Sequence, residues 1–218
     1  MKVNHVSGAP FPLMEFELSR GETIRYQPSA MVYCEEGVDV ELQWNSGGSG
    51  RGGLLRSLAR SVTSGESMLI GEATGEGSGG KIALAPCQAG EIHELKIGRE
   101  QWRLRDGAFF ACEPGVDFTL QRQSLGKALF AGTGGLFVME TTGEGTMFIE
   151  ACGKMIRLDL QPGKMISVDN SHLVAWSAGL DYKTRFFSAG ELFTLEFVGP
   201  GSIILQTNCR NTTPSSPA

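Results

Sequence analysis

A chain of 218 residues with 41% hydrophobic and 20% charged side chains has the balance of a globular protein that buries a core, which excludes a disordered polymer and a bundle of membrane-spanning helices. No apolar run approaches the roughly 18–20 residues of a spanning helix, and the opening MKVNHVSGAPFPLMEFELS lacks the continuous apolar block of about 7–15 residues of a secretory signal, so no membrane span and a cytoplasmic location are expected. A net charge of −5 gives no electrostatic footprint for a phosphate backbone, and five cysteines, an odd number, read as thiols and not as a disulfide framework.

Glycine, at 30 residues, is about twice its usual share, and glycine scattered without a period marks tight turns between many short strands. In chain order, GETIRYQPSAMVY (21–33) reads as strand, turn, strand. CEEGVDVEL (34–42) turns into a third strand, where Val38, Val40 and Leu42 alternate with Asp39 and Glu41, the period of a half-buried strand. NSGGSGRGGLLRSLARSVTSG (45–65) is a glycine-rich insertion holding the best helical candidate, GGLLRSLARSV, with Leu54, Leu55, Leu58 and Val62 on one face. MLIGEATGEG and GKIALAP then read as two strands joined by a hairpin turn. The same order returns as GREQWRLRDGAFFA, CEPGVDFTL, a shorter insertion SLGKALFAGTGG, LFVMETTGEG and GTMFIEA. It returns again as PGKMISVDNSHLVA, WSAGLDYKT, almost no insertion, FTLEFVGPG and GSIILQT.

Aligned on Gly37, Gly115 and Gly179, the copies place Ile82, Met147 and Ile203 in register in the last strand, and Glu72, Glu140 and Glu196 three residues before Gly75, Gly143 and Gly199. A unit this small buries only about 60% of its unfolded surface, so neighbouring units must share packing. No helix long enough for a parallel crossover separates the strands. The expected fold is all-β: three repeated small double-stranded β-helix or jelly-roll-like units packed as one chain. The first unit, with its insertion, takes 1–97, the second 98–162 and the third 163–208, with a disordered tail at 209–218.

YQPSAMVY, KIALAPCQAGEI, VDNSHLVAW and GPGSIILQT, in that order, resemble the motif blocks of a family of unknown function that includes bacterial proteins and a fungal mitochondrial biogenesis protein, across residues 12–207. That family is similar in fold to the tryptophan RNA-binding attenuation protein. The resemblance implies three β-units per chain and a homotrimer whose nine units mimic the ring of the attenuation protein. It implies no catalytic residues. FFSAGELFTLEF departs from the more glycine-rich turn of the family. For a ring closed end to end, the apolar segments SIILQ and FPLMEFEL are expected as the edge strands that meet.

Chemical motifs are sparse. A cupin-type metal centre needs two histidines one residue apart, a carboxylate and a third histidine, whereas His5, His93 and His172 stand alone. In EIHE, Glu91 and His93 share a face while Glu94 points away, a surface polar cluster in place of a metal site. Cys34 and Cys112 occupy the repeat position taken by Trp176, and Cys87 and Cys152 another, so all four are expected as buried structural thiols. No histidine stands at a matching repeat position to activate a thiolate. GGSGRGG lacks the lysine and the serine or threonine of a phosphate loop. The repeated acids Asp39, Asp117 and Asp181, just after the turn glycine, and Glu72, Glu140 and Glu196, before the second turn, are candidate ring or interface carboxylates. Their structural roles are capping turns, pairing across units or guarding edges; their functional role is lining a ring or holding a cation.

The leading functional reading is a non-catalytic oligomeric binding or scaffold protein without a cofactor, a homotrimer with an unknown protein or small-molecule partner and no nucleic acid. The alternative is an RNA-binding ring by analogy with the attenuation protein, which needs basic residues repeated on one edge. Arg103 and Arg105 have no basic counterparts in the other copies beyond Arg25. A small-molecule enzyme of unknown reaction is the third reading.

Overall fold

The computed structural model describes residues 1–45, 68–122, 137–186 and 193–208. The helical candidate, the shorter second insertion, most of FFSAGEL and the tail at 209–218 lie outside the described residues. Those described form strands joined by turns and two single 3-10 turns. The first strand, Lys2–Ser7 (β1), precedes three sets of six. The first set is Leu13–Leu18 (β2), Thr23–Tyr26 (β3), Met31–Cys34 (β4), Val38–Asn45 (β5), Met68–Gly75 (β6) and Gly80–Leu84 (β7). The second is Gly90–Ile97 (β8), Trp102–Leu104 (β9), Phe109–Cys112 (β10), Val116–Arg122 (β11), Phe137–Gly143 (β12) and Gly145–Cys152 (β13). The third is Met155–Leu160 (β14), Met165–Asp169 (β15), Leu173–Ser177 (β16), Tyr182–Phe186 (β17), Phe193–Val198 (β18) and Gly201–Gln206 (β19).

Each set splits between two sheets and shares them with its neighbour. In the order β5-β6-β3-β10-β13-β8, three strands come from the first set and three from the second. The order β11-β12-β9-β16-β19-β14 repeats that arrangement between the second and third sets. The halves left over are β1-β2-β7-β4 at one end of the array and β15-β18-β17 at the other. All ladders are antiparallel, and the register recurs: Cys34↔Ile82, Cys112↔Met147 and Trp176↔Ile203, each beside a bulge at Val32, Phe110 and Val174. The alignment of Ile82, Met147 and Ile203 drawn from sequence is thus the pairing register itself.

Strand alternation explains the cores. Trp102 and Leu104 are buried, with the half-exposed Arg103 between them. One cluster holds Met14, Phe16, Ile24, Tyr26, Ile82 and Leu84 of the first set, completed by Phe110, Ala111 and Phe148 of the second. The next, around Trp102, Leu104, Phe118 and Met147, is completed by Val174, Ala175 and Ile204 of the third. The third cluster, with Val168, Trp176, Leu195 and Phe197, receives no strand from a following set among the described residues.

Two expectations need correction. SIILQ and FPLMEFEL are not edges: β19 lies between β16 and β14, and β2 lies between β1 and β7. In β2 only Met14, Phe16 and Leu18 face a core, and Glu15 and Glu17 alternate with them on the outer face. The hairpin read from MLIGEATGEG and GKIALAP is not formed: β6 pairs with β5 and β3, and β7 pairs with β2 and β4 in another sheet. Residues 90–97, assigned from sequence to the first unit, form β8, which pairs with β13 over its whole length.

The turn that opens the repeated phrase has a steric reason in two copies. A Cβ on Gly37 would lie 2.1 Å from the carbonyl oxygen of Gly79, and one on Gly115 would lie 2.5 Å from that of Glu144. Those glycines let the turn carbonyl accept from the amides of Glu76 and Glu144, at 2.9 and 3.0 Å. Gly179 has open space instead.

Candidate functional site

The chemistry concentrates at the junctions between sets. Arg103, on β9, donates from Nε to Glu140 Oε2 at 2.7 Å, and its Nη1 reaches the carbonyl of Leu180 at 3.3 Å and Asp181 Oδ1 at 3.4 Å. Burial disfavours the charge on Arg103, but the Glu140 and Asp181 carboxylates outweigh that and hold its pKa above the ordinary value. At the preceding junction Arg25, on β3, donates from Nη2 to the carbonyls of Pro114 and Val116. In both, an arginine crosses to the turn of the next set and caps the carbonyl before the repeated aspartate. The pairings Arg25↔Glu72, Arg103↔Glu140 and Ser167↔Glu196 put Ser167 where a third arginine would stand.

The six repeated acids are spread over these junctions and are not gathered at one point. Glu140 and Asp181 share Arg103 across the second junction. Asp117 accepts from the amide of Phe118 at 2.9 Å, within its own turn. Glu196, buried, pairs with Arg185 at 2.6 Å on the neighbouring β17. Glu72 accepts from Gln43 Nε2 at 3.5 Å, and Asp39 is exposed. No group of three His, Cys, Asp or Glu side chains able to hold a metal ion exists among the described residues. The EIHE acids divide as strand alternation requires: His93 Nε2 lies 3.3 Å from Glu91, and Glu94 pairs with Lys96 at 3.4 Å.

The cysteines split in a way their repeat positions do not suggest. Cys112 and Cys152 are buried, and burial pushes the Cys112 thiol up to about 12. Cys34 and Cys87 are exposed, contrary to the expectation of four buried thiols. For Cys34 the reason is its strand: β4 is the last strand of its sheet, whereas β10 and β16 each have a neighbour on both sides.

The same edge is the feature sequence reasoning missed. Met31, Val32 and Tyr33 on β4 are 46%, 56% and 41% exposed, whereas their register equivalents Phe109, Phe110 and Ala111, and Leu173, Val174 and Ala175, are at most 3% exposed. At the far end β15, with Met165 62% exposed, is the corresponding open edge. The signal lay in the sequence as an apolar MVYC aligned with FFAC and LVAW.

Antiparallel strand sets that share sheets within one chain define an all-β fold. The chain belongs to the family described as Mitochondrial biogenesis AIM24, whose model matches residues 4–208. It is 42% identical over 204 residues to an uncharacterised protein of Streptococcus pyogenes serotype M6, covering 90% of this chain and 82% of that one. It is also similar to a crystal structure of a Streptococcus pyogenes protein, with 35% identity, a TM-score of 0.74, and coverage of 95% of this chain and 94% of that one.

Proposed function

We propose that the chain is a non-catalytic, cytoplasmic binding or scaffold protein that works as a homotrimeric ring, similar to that of the tryptophan RNA-binding attenuation protein. The ring closes where β15 of one copy meets β4 of the next. The observation that carries this reading is the paired vacancy. Two internal junctions join β3 to β10 and β9 to β16 through Tyr26↔Ala111 and Leu104↔Ala175, and each is extended by a backbone bond, Gln27 N to Phe110 O and Arg105 N to Val174 O, at 2.9 and 3.0 Å. Continuing the register sets Val168 against Tyr33 and Ser167 against Cys34 of the next copy. Val32 and Tyr33 then enter the third core as Phe110 and Ala111 enter the first.

Such a contact is heterologous and closes only as a ring. Closure at three copies is what the family resemblance supports. Against an RNA-binding role, Arg25 and Arg103 are already engaged inside the junctions and leave no repeated cation for phosphate. Against catalysis, Glu140, Asp181 and Glu196 pair with arginines, Asp117 accepts from the backbone, and the Cys112 thiol is buried. Light scattering on the purified full chain tests the assembly: three copies of the 23.4 kDa chain give about 70 kDa, and a stable monomer at micromolar concentration rejects the ring.

A further inference from the structure

At the junction of the first two sets lies a cavity of about 380 Å³, within the range of small-ligand sites. Its walls are apolar and come from both sets: Met68 and Leu69 from β6, Phe109 from β10, Leu120 from β11 and Met139 from β12. Two turns form the rim, Gln27–Ser29 of the first set and Arg105–Gly107 of the second.

The charged groups on that rim differ in their commitments. Arg105 donates from Nη2 to Gln206 Oε1 at 2.8 Å and is held toward the third set. Asp106 makes no hydrogen bond or ion pair among the described residues, although it borders the cavity. In the third set Asn170 stands at the Asp106 position, and the cap of that turn is made one residue earlier, by Asp169, which accepts from the amide and hydroxyl of Ser171 at 2.8 and 2.6 Å. In the second set Arg105 stands at the Asp169 position, so that cap is not built. An unengaged carboxylate at the mouth of an apolar cavity in a chain of net charge −5 complements a cation with an apolar body.

We infer that this cavity binds a small apolar amine, its hydrocarbon part against Met68, Phe109, Leu120 and Met139 and its ammonium on the Asp106 carboxylate. The site lies within one chain, so it is present whether or not the ring forms.

Titration of the full chain with 2-phenylethylamine and with its neutral counterpart 2-phenylethanol, followed by the methyl resonances of Met68 and Met139, tests the inference. The amine is expected to shift both methyls and to bind roughly tenfold more tightly than the alcohol at low salt. In Asp106→Asn, at an exposed turn position, that preference should vanish while the affinity for the alcohol stays. An amine preference that survives Asp106→Asn, equal binding of the two probes to the native chain, or no shift of either methyl at millimolar probe overturns it.

Discussion

Cys34, Cys112 and Trp176 occupy one slot in three copies of one strand, and their surroundings differ with what lies beyond the strand. Cys112, between β13 and β3, loses its water and holds its proton to about 12, against an ordinary thiol value of 9.0. Below that ordinary value both folded and unfolded chains carry the proton, and the contribution to stability is complete. As pH rises between the two values the unfolded chain releases a proton that the native chain keeps, so stability falls. Cys112→Ala removes this dependence. The urea midpoint of the native chain should therefore drop between about pH 8 and about pH 10 by more than that of the variant. Equal drops would show that the thiol has no part in the alkaline response.

A strand's face was legible in the sequence and its neighbours were not. Alternation put Val38 on a core face, because side-chain period reports which face meets a core, and alignment of the copies put Ile82, Met147 and Ile203 in register, but Leu42 of the same stripe is 60% exposed. Alternation cannot report which strand supplies the next ladder, and so the exchange of β3 to β10 and the edge at β4 were hidden. Cys34 was misjudged for the same reason: β4 ends its sheet, so its slot has a neighbour on one side only. Of the candidate carboxylates, Glu140 and Asp181 were legible as a repeat, but their common partner Arg103 appears only once β9 and β16 lie side by side. At the element scale, Ser167 lacks what Arg25 and Arg103 provide. Ser167→Arg should let β15 cap the Val38 carbonyl of the next copy, a charge-assisted bond worth about 1–2 kcal/mol at a partly exposed site. Dilution followed by light scattering should show the variant dissociating at about a tenfold lower concentration; unchanged dissociation would place the seam elsewhere.

For the molecule as a whole, the two end sheets are halves of the form already made twice inside the chain. A three-stranded sheet ending at β15 and a four-stranded one ending at β4 leave backbone N–H and C=O groups unpaired along both edges. The apolar side chains beside them fit a protein neighbour better than water. Val32 makes the sharpest test, because its equivalents Phe110 and Val174 are fully buried while it is 56% exposed in the single chain. Val32→Glu places a charge on what is surface in a monomer, where such changes cost within about 0.5 kcal/mol. In the ring the same carboxylate would enter the core beside Val168 and Phe197 without a partner, at a cost of several kcal/mol. The variant is therefore expected to remain folded, with the strand-rich circular dichroism and thermal transition of an isolated chain, and to scatter light as a monomer. Val6→Glu, at a comparably exposed position on β1 at the opposite edge of the same sheet, should leave the oligomer intact. If both variants assemble like the native chain, β4 is not the surface that joins one copy to the next.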